Sequence, residues 1–380
     1  MTDTYKMSPN FKNEVKNTLQ WTLPTSDNNA IDSAQTAWTQ FDKLIDESVQ
    51  AGKLFTNDIV STYSVPYTVS NAYRGGVIAP NGDIHFMPAN ANRGQKIAAN
   101  GTVSTYSLVY TATQSYAGGV LAPNGDIHFV PYNANRGQKI DASGTVSTYS
   151  LVFTSSQAYF GGALAPNGEV HFIPGNANRG QKIAANGSVY TYSLVYTTGL
   201  AYYGGVLNPA GEIHFVPFQA NRGQKIAANG SVYTYSLVYS VGLAYAGGVL
   251  ASSGEIHFIP YNANRGQKIA ANGTVYTYSL VYTESSGYSG GVLAPNGDIH
   301  FVPYGISSAR GQKIDASGTV STYSILHTNT SGAYSGGVLA PNGDIHFIPF
   351  VGNRGQKIHT NSGLNWSLGV VSHSFFNNRF

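Results

Sequence analysis

An acidic residue stands two places before a histidine seven times in this chain: Asp83/His85, Asp126/His128, Glu169/His171, Glu212/His214, Glu255/His257, Asp298/His300 and Asp344/His346. In an extended strand, residues i and i+2 point to the same side, so each pair sets a carboxylate beside an imidazole on one face. The alternate positions, Ile or Val and then Phe, take the other face. An arginine follows each histidine eight residues on in most copies, beginning with Arg93. Such an acid–imidazole–arginine group has the chemistry to hold a polar ligand. It equally has the chemistry of a hydrogen-bonded cluster tying strands together, and its sevenfold repetition favours that architectural role. A metal ring of seven histidines is disfavoured, because the histidine falls on a second strand, away from any central axis.

The same repetition argues against catalysis. An enzyme needs an asymmetric group of side chains whose pKa values are driven apart, and near-identical units give equal, weak sites. H-E-x-x-H and the Walker phosphate loop are both missing from the sequence. The expectation is a protein that is not an enzyme, with no catalytic residues, no metal and no cofactor.

The most polar stretch of the unit, N-A-N-R-G-Q-K, is a candidate binding rim. Asn92 and Arg93, Asn135 and Arg136, Asn178 and Arg179, and Asn221 and Arg222 suit sugar hydroxyls. So do Asn264 and Arg265, Arg310, and Asn353 and Arg354. Ordinary turn chemistry explains the same residues and is the preferred reading. The Asn-Gly-Ser/Thr sequons at Asn100, Asn186, Asn229 and Asn272 also read as hairpin turns.

The elements that position these groups follow from one unit written seven times. Gly pairs begin at Gly75, Gly118, Gly161, Gly204, Gly247, Gly290 and Gly336; the first five spacings are 43 residues and the last is 46. Each unit holds four short apolar runs (GGVLAP, IHFVP, GQKI and TVSTYSLVF in the second copy), separated by Pro, Asn and Gly turns. Four antiparallel strands per unit, repeated seven times, predict an all-β seven-bladed β-propeller. The Gly pairs fit innermost strands that crowd around one axis. The first and last copies look ordinary, which favours a closed ring over a capped solenoid. The fourth-strand motif has an extra copy at Ile59–Thr68, ahead of the first Gly pair, while the last copy, Leu364–Ser372, is degenerate. The extra copy is expected to close the ring.

Outside residues 59–372, residues 1–58 do not share the repeat. Ile31, Ala34, Trp38, Phe41, Ile45 and Val49 give a helical face. Trp38 and Phe41, with Phe375, Phe376 and Phe380 of the tail (373–380), are candidate partner contacts.

Only 10% of the 380 residues are charged, the formal net charge is +3, and the chain has no cysteine. Of the 21 Lys and Arg, 14 are one Arg and one Lys per repeat, so the charge is spread and makes a poor nucleic-acid footprint. No secretory signal and no apolar run long enough to enter a membrane is apparent.

The string GGVLAPNGDIHFVPYNA resembles the repeat of propeller-like proteins found in bacterial, plankton and viral genomes, and the resemblance spans residues 59–371. The ending F-F-N-N-R-F is similar to the aromatic C-terminus of some tailed-phage virion proteins, with His-Ser in place of Ser-Pro and one Asn more. These resemblances imply a rigid propeller displayed on a virion, or a soluble protein if it is not viral. Residues 1–58 or the tail would join it to other virion proteins. The alternative is a multivalent, lectin-like binder of cell-surface glycans.

Overall fold

The computed structural model describes residues 59–306, 310–327 and 332–360. The expected arm helix with Trp38 and Phe41, the degenerate copy at Leu364–Ser372, and Phe375, Phe376 and Phe380 lie outside the described residues. The chain divides into two units, residues 1–57 and 58–380, and the description concerns the second.

Seven four-stranded antiparallel sheets form the blades of a propeller, and no helix occurs among the described residues. The first blade comprises Tyr73–Ile78, Ile84–Pro88, Arg93–Ile97 and Val103–Ser107. The next five follow the same order. The last is composite: Tyr334–Leu339, Asp344–Pro349 and Arg354–His359 are completed by Ile59–Ser64 from the start of the ring. Ile59 pairs with His359 and Ser64 with Arg354. The extra motif copy therefore closes the ring, as its sequence predicts.

Every second strand is buried along its length. The reason is packing between blades rather than within one. Val120 and Val130 of the second blade share a core with Tyr159, Val170 and Phe172 of the third. Val338 and Ile348 of the last blade pack with Tyr73 and Phe86 of the first. Burying each such aromatic or branched side chain is worth about 1.5–3 kcal/mol. The first-strand tyrosine adds direction, since the Tyr73 hydroxyl donates to the Arg93 carbonyl at 3.0 Å.

Two local devices shape the blades. The first strand changes register between Tyr73 and Gly76 at a β-bulge, and Gly75 sits there at φ 83°. A Cβ on Gly118 would lie 3.2 Å from the Gly161 Cα, and one on Gly336 would lie 3.0 Å from the Gly75 Cα. The first glycines thus meet backbone to backbone around the axis, a contact that side chains would prevent. The hairpin turns are the second device. Asn81 Oδ1 accepts from the Asp83 amide at 3.0 Å, and Asn100 Oδ1 from the Thr102 amide at 3.0 Å. Asn186, Asn229 and Asn272 repeat the latter bond, so the sequons are hairpin turns.

Candidate functional site

The acid-x-His motif does place both side chains at the start of the second strand, but the acid's main partner is a lysine. Asp126 binds Lys139 at 2.6 Å, Asp83 binds Lys96 at 2.7 Å and Glu212 binds Lys225 at 2.7 Å. Cross-strand register explains this, because His128 lies opposite Lys139 on the third strand. The motif arginine begins that strand at its far end: Arg136 pairs with Ser150. The expected acid–histidine–arginine grouping is therefore corrected to acid–histidine–lysine. The histidine instead meets a fourth-strand tyrosine, with His128 Nδ1 3.2 Å from the Tyr149 hydroxyl. Where the acid is Glu, the longer side chain also reaches the imidazole, at 3.3 Å in the Glu212–His214 pair.

Burial sets the protonation of this cluster. Desolvation lowers His85, His128, His171, His257 and His346 to about 4. These imidazoles are neutral near pH 7. Burial pushes Asp83 and Glu169 up, but the hydrogen bonds from Lys96 and Lys182 and the backbone or Asn contacts outweigh it and hold both below the usual carboxylate range. The second-blade cluster faces a cleft of about 530 Å³, walled by Asp126, His128, Lys139 and Tyr149 on one side and Ile183 and Asn186 of the third blade on the other.

The last blade departs from the others. The residue after G-Q-K-I is Ala98, Asp141, Ala184, Ala227, Ala270 and Asp315 in the first six copies, and His359 in the seventh. His359 lies opposite Asp344 in the sheet. Its Nδ1 is 2.6 Å from Asp344 Oδ1, while Lys357 Nζ is 2.5 Å from Oδ2. The Asp344 side chain is 2% exposed and that of His359 is 30% exposed. Burial raises the Asp344 carboxyl, yet Lys357 and His359 together hold it below its usual range. The sequence reading did not single out His359; its signal was the one histidine at a position otherwise filled by Ala or Asp.

The rim residues stand where the sequence places them. Asn92, Arg93, Asn135, Arg136, Asn178, Arg179, Asn221 and Arg222 are all exposed. Asn264, Arg265, Arg310, Asn353 and Arg354 are exposed as well. They are repeated blade by blade rather than gathered into one pocket. Arg265 lies over the Tyr239 ring at 5.0 Å.

A second asymmetric group, absent from the sequence reading, lies at the opposite ends of the second strands, by the axis. It is built from the residue before each Gly pair and the residue after each second strand. Tyr132 meets Phe160 at 4.7 Å between ring centroids, Phe160 stacks on Tyr203 at 4.6 Å, and Tyr203 meets Phe218 at 5.2 Å. The circuit continues through Phe218–Tyr261 at 5.5 Å, Tyr261–Tyr304 at 5.5 Å and Tyr304–Phe350 at 5.8 Å. Arg74 closes it, with its guanidinium 4.9 Å from both the Phe350 and Tyr132 rings.

Seven four-stranded blades closed into a ring, one of them carrying a half-buried imidazole against a buried carboxylate, define a β-propeller. Comparison with known proteins places it further. The family model for virginiamycin B lyase matches residues 33–304, so the chain belongs to the virginiamycin B lyase family. A streptogramin B lyase structure superposes with TM-score 0.70 at 20% identity, over 80% of this chain and 98% of that one. A catalytically inactive His-to-Ala variant of virginiamycin B lyase from Staphylococcus aureus with quinupristin gives 0.70 at 17% identity, over 80% and 99%. Kuenenia stuttgartiensis hydrazine synthase gives 0.59 at 14%, over 79% and 100%. These likenesses concern the fold. No curated protein matches the chain. The expectation that the protein is not an enzyme is overturned, because the family it belongs to is one of lyases.

Proposed function

We propose that the chain is a lyase in which His359 acts as general base and Asp344 positions it. The observation that carries this reading is the 2.6 Å Asp344–His359 pair, found in one blade of seven. A lyase removes a proton from substrate without adding water. The imidazole of His359 would take a proton from a substrate carbon. The C–H electron pair then forms a new π bond, the bond to the neighbouring heteroatom breaks, and that leaving atom keeps its pair and takes up a proton. Asp344 stabilises the imidazolium that forms. The substrate class suggested by the family is that of the streptogramin B lyase and of the relative crystallised with quinupristin. The test is incubation of the full chain with quinupristin and mass spectrometry of the products. Conversion to product of the substrate's own mass, with no water added, lost in His359→Gln, supports the proposal. Turnover unchanged in that variant removes His359 from it.

A second reading rests on the exposed Asn/Arg rim, which repeats around the ring and suits a multivalent target. On that reading the propeller is carried on a virion through residues 1–58 or the tail and engages cell-surface glycans. A glycan array probed with the full chain and with a chain lacking residues 1–52 separates the roles. Equal binding by both places recognition on the blades, and binding by neither removes the glycan reading.

A further inference from the structure

The axial aromatic circuit has the features of a ligand site, and the repeat itself shows why. Six of the seven blades supply one large side chain there. In those six, where the residue before the Gly pair is large, as in Arg74 or Phe160, its companion after the second strand is small, Ala89 or Gly175, while the fourth blade supplies both Tyr203 and Phe218. Where the first is small, as Ala117 or Ser335, the companion is large, Tyr132 or Phe350. Filling space explains this alternation, and Phe or Leu in every blade would satisfy it. It does not explain the choice of Arg at one place.

Arg74 has no carboxylate partner among the described residues. Its charge rests on the faces of Tyr132, Phe160 and Phe350, at 4.9, 5.8 and 4.9 Å. Stacking of this kind leaves the in-plane N–H donors of a guanidinium, about five, to bond other groups, and the Tyr132 hydroxyl takes one hydrogen bond from them. Tyr203, Tyr261 and Tyr304 are half-buried, as is Arg74, while Tyr132, Phe160, Phe218 and Phe350 beneath them are buried. The Tyr304 phenol is pushed up by burial and then by Tyr261 and Tyr203, and the Arg74 charge acts on it in the other sense. Tyr304 and Tyr132, from two blades, therefore sit within electrostatic reach of one guanidinium.

We infer that this end of the axis binds a small aromatic carboxylate, its ring on the tyrosine faces and its carboxylate on Arg74. A single guanidinium matches the charge and the planar fork of a carboxylate. Phosphate sites gather several cations or backbone amides, and no second cation contacts this circuit among the described residues. The site is separate from the Asp344–His359 pair, which stands at the other end of the second strand, five residues away along Asp344–Pro349.

The experiment is titration of the full chain with benzoate, with phenol and cyclohexanecarboxylate as controls, by saturation-transfer NMR and calorimetry. Benzoate is expected to bind at least tenfold more tightly than either control, and Arg74→Met to lose that preference while Arg74→Lys keeps part of it. Equal binding of benzoate and phenol by the unsubstituted chain overturns the inference without need of a variant. So does benzoate binding that survives in a folded Arg74→Met protein, or no benzoate binding at all. Thermal denaturation identifies a variant that has failed to fold, and the ligand comparison on the unsubstituted chain then decides.

Discussion

The side chain of Gln138 in the second blade accepts, at Oε1, the backbone amide of Tyr110 in the linker leaving the first blade, at 2.8 Å. The same oxygen takes the Val109 amide at 3.1 Å. The contact recurs around the ring: Gln181 holds Phe153, Gln224 holds Tyr196, and Gln356 holds His327. At the closure, Gln95 takes the Tyr67 amide at 3.2 Å. Gln138 is 0% exposed, so its carbonyl replaces water for two amides that the strand ladder leaves unpaired. Gln138→Ala is expected to cost about 1–3 kcal/mol, read as a lowered urea midpoint with the slope unchanged.

The buried imidazoles make stability depend on acid. His85, His128, His171, His257 and His346 titrate at about 4 in the folded chain, against about 6.5 when unfolded. Between those values the unfolded state binds more protons, so stability rises with pH across this window and is fully present above about pH 6.5. The carboxylates act in the same sense at lower pH, because Asp83 and Glu169 are held below their usual range. Unfolding midpoints measured from pH 4 to 8 should fall as pH falls through that window. Replacing one of the five by Gln should make the fall shallower.

Asp344→Asn separates positioning from proton transfer. The amide keeps the shape but cannot stabilise the imidazolium on His359, 2.6 Å away. Lyase turnover is expected to fall by about 10²–10⁴-fold, with KM little changed. Asp126→Asn, in a blade where the acid has Lys139 and no such histidine, should leave turnover unaltered.

Backbone contact at the axis can be isolated by a pair of substitutions. Gly118 and Gly144 share a left-handed backbone, φ 93° and 88°, but a Cβ on Gly144 would meet nothing within 4 Å, whereas one on Gly118 would meet the Gly161 Cα at 3.2 Å. Gly144→Ala should cost about 1–2 kcal/mol from conformation. Gly118→Ala should cost more, and the difference measures the close approach of neighbouring blades. Denaturant melts of the two variants give both numbers.

What could be read in advance was whatever the repeat states locally. Ile59–Ser64 was recognisable as the closing strand because its motif also ends every other blade. The Asn-Gly turns and the axial Gly pairs were readable from backbone chemistry. Lys139 was missed in favour of Arg136 because partner choice depends on register: His128 faces Lys139, and the arginine begins the strand at its other end. Arg74 and Phe350 are far apart in sequence and meet only through closure of the ring. His359 was a single departure in a regular column, and its meaning depended on its facing Asp344.

The strand Ile59–Ser64 is translated nearly 300 residues (residue 59 to residue 354) before its partner Arg354–His359 emerges. Until then its backbone groups on that edge have no ladder to join, and an open edge invites pairing with another chain. Six blades can form from neighbouring sequence as each appears, with only short loops to close. The seventh waits for both ends of the ring. Termination anywhere before residue 354 would leave a ribosome-released product with an open gap and a spare strand, suited to completing another such fragment rather than itself.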